Sequence, residues 1–205
     1  MTSLLTAVAT SRSNPVRYWL LLFLWSGLPI PVLQAELRLP KIFGNHMVLQ
    51  RDKPIHIWGW ETADAKISVT WAGQTRTTTS DAEGRWSVHF DPVKASSIGR
   101  QLVVTSDSGS ITLTDILVGE VWLCGGQSNM EWTLRTTRDA DLEIGCADFP
   151  AIRFIRLPKI ARLKPQEDFP VQSPENPVGN WRFATTQQVE NCTAVGYYFA
   201  RRVHR

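Results

Sequence analysis

A serine that follows two glycines and a short apolar run is the strongest chemical signal in this sequence. Ser128 comes two residues after the pair Gly125-Gly126, and residues 121–124 (V-W-L-C) directly precede that pair. Glycines let the backbone turn sharply at the end of a strand, and the first turn of a following helix offers unpaired N–H groups. A serine hydroxyl at such a turn can attack a carbonyl while the N–H groups hold the developing oxyanion. The spacing is therefore compatible with acyl transfer by Ser128.

The same position has a simpler interpretation, in which Ser128 is the N-cap of a helix. Serine is preferred at helix N-caps because its side-chain oxygen accepts a hydrogen bond from the N–H two or three residues later. On spacing alone, capping is the commoner role, so a longer stretch of sequence is needed to choose.

Residues 119–132 (G-E-V-W-L-C-G-G-Q-S-N-M-E-W) provide that stretch. They resemble the first sequence block of the sialate O-acetylesterase family, a branch of the SGNH (GDSL-like) hydrolases. The resemblance implies that Ser128 is the nucleophile and that its own backbone N–H is one oxyanion donor. In an esterase of this kind, Gly126 is a candidate to line the oxyanion site. Gln127 and Asn129 would then orient the loop through side-chain hydrogen bonds, or would only stabilise the turn.

The partners of such a serine are missing from the expected place. Acyl transfer needs a base to accept the serine proton and an acid to orient that base, and the family carries both in a D-x-x-H block near its C-terminus. The chain has four histidines, His46, His56, His89 and His204. The first three precede the serine. The residue three positions before His204 is Arg201 instead of the acid that the block requires. We therefore expect an N-terminal fragment with incomplete catalytic machinery and little or no turnover.

Residues 36–115 are predicted to form an antiparallel β-sandwich. Apolar and polar residues alternate in residues 67–71 and 86–90, which is typical of strands with one buried face. This region also resembles the family, in residues 42–51 (I-F-G-N-H-M-V-L-Q-R) and 54–60 (P-I-H-I-W-G-W), and the resemblance implies an N-terminal β-sandwich. Tryptophan side chains in it either fill the core, which is the favoured interpretation, or bind sugar; the candidates are Trp58, Trp60 and Trp71.

Residues 116–205 are predicted to be the first part of an SGNH hydrolase domain, which the resemblance implies is α/β, flavodoxin-like and three-layered. Residues 118–124 form a near-continuous apolar run, as in a buried parallel strand, and residues 152–157 alternate like another strand. Apolar residues at every fourth position predict a helix over residues 193–205. Five prolines in residues 158–180 predict an irregular excursion, for which covering a cleft is one role. The predicted fold class is therefore α+β in two domains.

An incomplete parallel sheet has physical consequences for the second region. A two-stranded piece lacks the neighbours that would bury its other edges and faces. We therefore expect residues 116–205 to expose apolar surface and to be marginally stable on their own.

The N-terminus has the pattern of an export signal. Arg12 and Arg17 precede an apolar run over residues 19–25, and a cleavage site ends at Ala35. This run is shorter than the roughly 20 residues of a membrane span, although an uncleaved anchor is the alternative. The sequence therefore predicts a signal peptide over residues 1–35, a protein exported to the periplasm or the medium, and no stable membrane partner after cleavage.

Composition and charge fit an ordinary soluble protein. The chain is 43% hydrophobic and 20% charged, and its formal charge of +3 falls to +1 once the two arginines of the signal peptide are removed. Nothing in this balance indicates a nucleic acid or an anionic membrane as a partner. The oligomeric state is left open.

Cysteine usage allows at most one disulfide within the chain, since there are three cysteines. Cys124 lies on the predicted buried strand and is expected to be a core residue. A bridge between Cys146 and Cys192 is possible, although spacing does not argue for it. Because there is no C-x-x-C pair and no His/Cys cluster at zinc spacing, we predict no metal and no cofactor.

Two functions follow from these observations. The first is a carbohydrate O-acetylesterase, in which the serine attacks an acetyl group on an O-acetylated sugar, forms an acyl-enzyme, and water releases acetate. The sugar could be sialic acid or the sugar of an acetylated xylan or another plant polysaccharide. The alternative is an exported, non-catalytic glycan-binding β-sandwich protein.

Overall fold

A computed structural model describes residues 36–170 and 179–204 of the chain. The predicted signal peptide lies outside the described residues. Among those residues, no helix combines the length and the apolar character that crossing a membrane requires.

The first region consists of strands that lie in two sheets. A five-stranded sheet has the order β1-β7-β6-β3-β4, and a two-stranded sheet pairs β2 with β5. All neighbouring strands are antiparallel except β1 and β7, which are parallel. The strands are β1 (Val48–Gln50), β2 (Ile55–Trp60), β3 (Lys66–Trp71), β4 (Gln74–Thr79), β5 (Arg85–Phe90), β6 (Ser96–Ser106) and β7 (Gly109–Gly119).

The two sheets share one apolar core. Alternate residues of β3 and β5 point into it, as the sequence alternation predicts, because successive side chains of a strand face opposite sides. Removing such side chains from water stabilises the fold by about 1.5–3 kcal/mol each. The buried residues of these two strands are Ile67, Val69, Trp71, Trp86, Val88 and Phe90.

Two of the tryptophans proposed to bind sugar do not present a ring to solvent. Trp71 is 0% exposed because it lies on the inward side of β3, and Trp60 is 8% exposed. The guanidinium of Arg38 covers Trp60, with its Cζ 4.0 Å from the ring centroid. Trp58 is half-buried, so it is the one ring of the three that sugar could still reach.

The second region is smaller and contains the helices. Its strands β8 (Asp148–Ile155) and β9 (Trp181–Thr185) pair antiparallel, and its helices are α1 (Ser128–Glu131), α2 (Ala140–Gly145) and α3 (Ala194–Val203). The fold is therefore mixed α+β. A second apolar cluster holds this region together; it comprises Leu134, Ala147, Ile152, Ala184, Val189, Cys192 and Tyr197.

The strand predicted over residues 118–124 is wrong beyond its first residues. β7 ends at Gly119, and Val121, Trp122 and Leu123 are exposed. A buried parallel strand needs hydrogen-bonded neighbours, and within the described residues β8 pairs with β9 instead of with this segment. Residues 120–126 therefore form an extended segment without strand pairing, and Cys124 is exposed rather than a core residue.

Candidate active site

Ser128 lies where the extended segment meets α1. It is the first residue of the helix and is exposed to solvent. The N-cap position belongs to Gln127, and no side-chain capping bond is made there. The capping interpretation of Ser128 therefore does not apply in this structure.

The backbone around Ser128 leaves hydrogen-bond donors at the turn. The N–H groups of Met130 and Glu131 both donate to the carbonyl oxygen of Gln127, at N···O distances of 2.9 and 3.2 Å. The N–H groups of Ser128 and Asn129 precede them and belong to the group that a helix start leaves unpaired. Because α1 has only four residues, these local donors matter more than a helix dipole.

The absence of a side chain at Gly126 leaves space for the side chain of Met130 to pack against the turn. A Cβ at this position would lie 2.9 Å from Cγ of Met130, whereas a Cβ at Gly125 would meet open space. A larger residue at position 126 would therefore displace Met130, which is the side chain that folds back over the turn. Asn129 is exposed.

The N-terminus of α3 contacts the residues that follow α1. The N–H of Ala194 donates to the carbonyl of Trp132 at 2.8 Å, and Thr133 forms an isolated antiparallel bridge with Thr193. On the other side, the ring of Trp122 lies edge-on to Phe199, with centroids 5.0 Å apart. The segment before the serine and the residues after α1 therefore both contact the same helix.

The proline-rich excursion also contacts this helix turn. Lys159 Nζ forms an ion pair with Glu131, the last residue of α1. Farther along, Asp168 accepts hydrogen bonds from the backbone N–H of Lys41, at 3.2 Å, and from its side chain. The described part of the excursion therefore runs from the serine turn to the first region.

The histidines lie elsewhere in the described structure. His56 and His89 face each other across β2 and β5 with stacked rings 4.3 Å apart, and burial together with His89 lowers the pKa of His56. His204 is exposed at the C-cap of α3. His46 is hydrogen-bonded through Nδ1 to Asp115 at 2.7 Å. Within residues 36–170 and 179–204, no hydrogen bond joins a histidine side chain to Ser128.

Proteins of known name and a solved structure show what this chain is similar to. Sialate O-acetylesterases of mouse, rat and human are 29%, 30% and 30% identical to the chain over 141, 141 and 142 residues. A crystal structure of a carbohydrate acetylesterase from Xanthomonas citri has a TM-score of 0.76 and 35% identity, and the match covers 82% of this chain. These similarities support the sialate O-acetylesterase-like family for this chain. No family model matches the sequence.

The match to this sialate O-acetylesterase-like family is partial in length. It covers 64% of this chain in each of the three mammalian comparisons, but 26%, 26% and 27% of the relatives themselves. It covers 37% of the Xanthomonas citri chain. The chain therefore spans about a quarter of the length of the curated relatives it matches.

Sequence reasoning missed one polar cluster, formed by His46, Asp115 and Arg153. Asp115 accepts hydrogen bonds from both of the other side chains. Burial opposes ionisation of Asp115, but these bonds and the nearby positive charges outweigh it, so the pKa of its carboxyl is lowered. Both His46 and Asp115 have positive φ angles, 68° and 54°, which non-glycine residues seldom adopt. No local pattern in the sequence signals this cluster, because its members are far apart in the chain.

A metal centre is not seen in the part of the chain that the structure describes. Within it, no group of three or more His, Cys, Asp or Glu side chains lies close enough to hold an ion.

Proposed function

We propose that the chain contributes the nucleophile of a carbohydrate O-acetylesterase, and that Ser128 is that nucleophile. The observation that supports this proposal most directly is that Ser128 is the first residue of α1 and is exposed to solvent. It stands in the stretch of residues 119–132 that resembles the family's first block. Its Oγ would attack the acetyl carbonyl of an O-acetylated sugar, the sugar oxygen would leave, and water would then release acetate from the acyl-enzyme.

The oxyanion would be held by backbone donors of the same turn. The N–H of Ser128 is the first candidate, and Gly126 lines the approach to it. Removing one such donor in a serine hydrolase typically costs 10²–10³-fold in kcat, which is about 2.7–4 kcal/mol. Gln127 and Asn129 would position this loop.

The base and the acid of the triad are proposed to come from outside the described residues. None of the four histidines makes a hydrogen bond to the serine among those residues, and His46, which has a carboxylate partner, lies on the first region. Triad members act as a unit, so a serine without its base retains little activity. We therefore propose that the 205-residue chain alone has little or no turnover.

The exposed apolar surface supports the same proposal. Leu123 is 91% exposed, and Trp122 beside it is exposed as well. On α3, the outward side chains Val195, Phe199 and Val203 are exposed too. We propose that further parts of a flavodoxin-like hydrolase domain cover this surface and supply the strand neighbours that residues 120–126 lack.

The substrate class follows from the names of the relatives. The curated relatives are sialate O-acetylesterases, and the structural neighbour is a carbohydrate acetylesterase. An acetyl ester of a sugar is therefore the proposed substrate, in an exported protein made with a signal peptide. The alternative of a glycan-binding module without catalysis has less support, because only Trp58 of the three candidate rings keeps an accessible face.

The test uses the chain alone and a chimera. In the chimera, this chain replaces the matching 37% of the Xanthomonas citri enzyme, which supplies the rest of the hydrolase domain. We expect acetate release from an O-acetylated sugar by the chimera but not by the chain alone. Ser128→Ala in the chimera should lower kcat by about 10³-fold or more, whereas the exposed control Ser87→Ala should leave it unchanged.

Each component of the proposal can fail separately. Full activity of the Ser128→Ala chimera, with the melting temperature retained, would remove Ser128 from the reaction. Acetate release by the isolated chain at rates like those of the chimera would show that its own residues complete the site.

A further inference from the structure

Two of the cysteines lie near the start of α3, and this pair differs from the one that the sequence left open. Cys124 belongs to the extended segment before Ser128, and its Sγ lies against Gly196 in the first turn of the helix. A Cβ built at position 196 would be 3.1 Å from that sulfur. The exposed Cys124 therefore lies close to α3, at a position where a Cβ on residue 196 would crowd its sulfur.

Cys192 is located at the same end of the helix. It directly precedes Thr193, the N-cap residue of α3, and Cγ2 of Thr193 would lie 2.7 Å from the same Cβ at position 196. Because consecutive Cα atoms are about 3.8 Å apart, the Cα of Cys192 lies next to that of Thr193. Thr193 and the Cys124 sulfur both approach position 196. Its side chain is buried in the second apolar cluster.

The electrostatics of Cys192 are consistent with a neighbouring thiol. Burial raises the pKa of Cys192 to about 12, and the charge of Cys124 contributes to the increase. Cys146 does not contribute to it. That residue is exposed at the C-cap of α2.

We propose that Cys124 and Cys192 form a disulfide that fastens the segment before Ser128 to the start of α3. The bond would replace, in part, the strand pairing that residues 120–126 lack. It would fix the approach to the serine turn while leaving Cys146 as a free thiol. The inference concerns the thiols alone and does not depend on the proposed esterase activity.

The oxidation can be written with a low-molecular-weight disulfide, oxidised glutathione, as the oxidant. The exposed Cys124 thiolate attacks one glutathione sulfur, the glutathione S–S bond breaks, and one glutathione thiolate leaves. Cys192 then loses its proton and attacks the Cys124 sulfur of the mixed disulfide, and the second glutathione leaves. The two protein thiols lose two electrons and two protons, and glutathione gains them. Because the pKa of Cys192 is raised to about 12, the second step should be the slower one and should accelerate with pH.

The test counts thiols in the full chain after equilibration in a glutathione redox buffer. The protein is then unfolded in denaturant, titrated with a chromogenic thiol reagent, and digested for peptide mapping by mass spectrometry. We expect one free thiol instead of the three in the reduced chain, a peptide pair joined through Cys124 and Cys192, and the free thiol on Cys146.

Variants separate this pair from the alternative. Cys146→Ser should keep the cross-link and titrate no free thiol, whereas Cys124→Ser should abolish the cross-link. Chymotrypsin should cleave after Trp122 more slowly in the oxidised Cys146→Ser protein than in Cys124→Ser. A cross-linked peptide joining Cys146 and Cys192, or three free thiols after oxidation of a chain that still melts cooperatively, would overturn the proposal.

Discussion

Arg153 in β8 donates a hydrogen bond from Nη1 to Oδ2 of Asp115 in β7 at 3.0 Å, and this contact joins the two regions of the fold. The Arg153 side chain is only 6% exposed. The same Nη1 also donates to the carbonyl of His46 at 3.1 Å, and the guanidinium lies 4.3 Å from the ring centroid of Phe183. A buried arginine is tolerated only when its charge is paired in this way.

Replacement of Arg153 should therefore destabilise the protein. Arg153→Ala leaves the Asp115 carboxylate without its buried partner, and removing one member of a buried pair costs about 3–5 kcal/mol. Because Asp115 is itself partly exposed, we expect a loss of about 2–3 kcal/mol, reduced by solvent screening. Urea unfolding followed by circular dichroism measures it.

The control for this change is Arg156→Ala, which removes an exposed arginine three residues away. It should change the free energy of unfolding by less than about 0.5 kcal/mol. Equal effects of the two variants would show that the pairing with Asp115 does not link the regions.

A buried carboxylate, Glu61, should make stability depend on pH. Burial raises the pKa of Glu61, but hydrogen bonds from Ser108, Ser106 and Thr62 outweigh it, so the pKa is lowered. The Ser106 hydroxyl donates at 2.7 Å and the Thr62 N–H at 2.8 Å. A lowered folded-state pKa contributes stability above the unfolded value of about 4.3, and that contribution is lost as pH falls through the folded value.

Glu61→Gln tests this dependence. At pH 7 the variant should be less stable by about 1–2 kcal/mol, because hydrogen bonds to a charged acceptor are replaced by weaker ones. The difference from the wild type should shrink as pH falls below about 4.3, because the carboxyl of the unfolded chain binds its proton before that of the folded chain. Urea titrations at several pH values measure it; a difference that stays constant down to pH 3 would contradict the assignment.

The parts of the fold that depend on local periodicity were predictable from the sequence. The alternation in β3 and β5 identifies their buried residues because the direction of a side chain in a strand follows from its position alone. The helical spacing that predicts α3 is local in the same sense, and α3 begins at Ala194. The exposure of Ser128 at the start of α1 agrees with the turn that its glycines indicate.

The parts that depend on distant partners were not predictable. The apolar run over residues 121–124 predicts burial, but burial requires a neighbouring strand, and the described residues supply none. The antiparallel pairing of β8 with β9 crosses the proline-rich excursion, so no short-range pattern signals it. The contact of Arg153 with Asp115 joins residues 38 positions apart, and either side chain alone would be interpreted as a solvated surface charge.

Two leucines of the second region give a direct test of where its core lies. Leu123 is 91% exposed, and Leu134 is 0% exposed. Leu134→Ala should lower the free energy of unfolding by about 2–5 kcal/mol, because it leaves a cavity in the second apolar cluster. Leu123→Ala should change it by less than about 0.5 kcal/mol.

The same pair also tests the proposal that further parts of a hydrolase domain cover this surface. In the chimera with the Xanthomonas citri enzyme, Leu123→Ala should become destabilising, because the side chain is then buried. A Leu123→Ala penalty that stays below about 0.5 kcal/mol in a chimera that is folded and active would contradict the covered surface.

Gly196 offers a prediction in which two effects of one methyl group oppose each other. In a helix interior, glycine is less favourable than alanine by about 1 kcal/mol, so Gly196→Ala on α3 would ordinarily stabilise the protein. Here the added Cβ would lie 3.1 Å from Cys124 Sγ and 2.7 Å from Thr193 Cγ2, and overpacking costs about 1–3 kcal/mol. We expect a net loss of about 1 kcal/mol, together with faster chymotrypsin cleavage after Trp122 as the extended segment leaves the helix.

The matched control is Gly145→Ala in α2, where the added Cβ meets open space; it should raise stability by about 0.4–1 kcal/mol. If the two alanine variants were equally stabilising and equally resistant to cleavage, the segment that leads to Ser128 would not be held against α3.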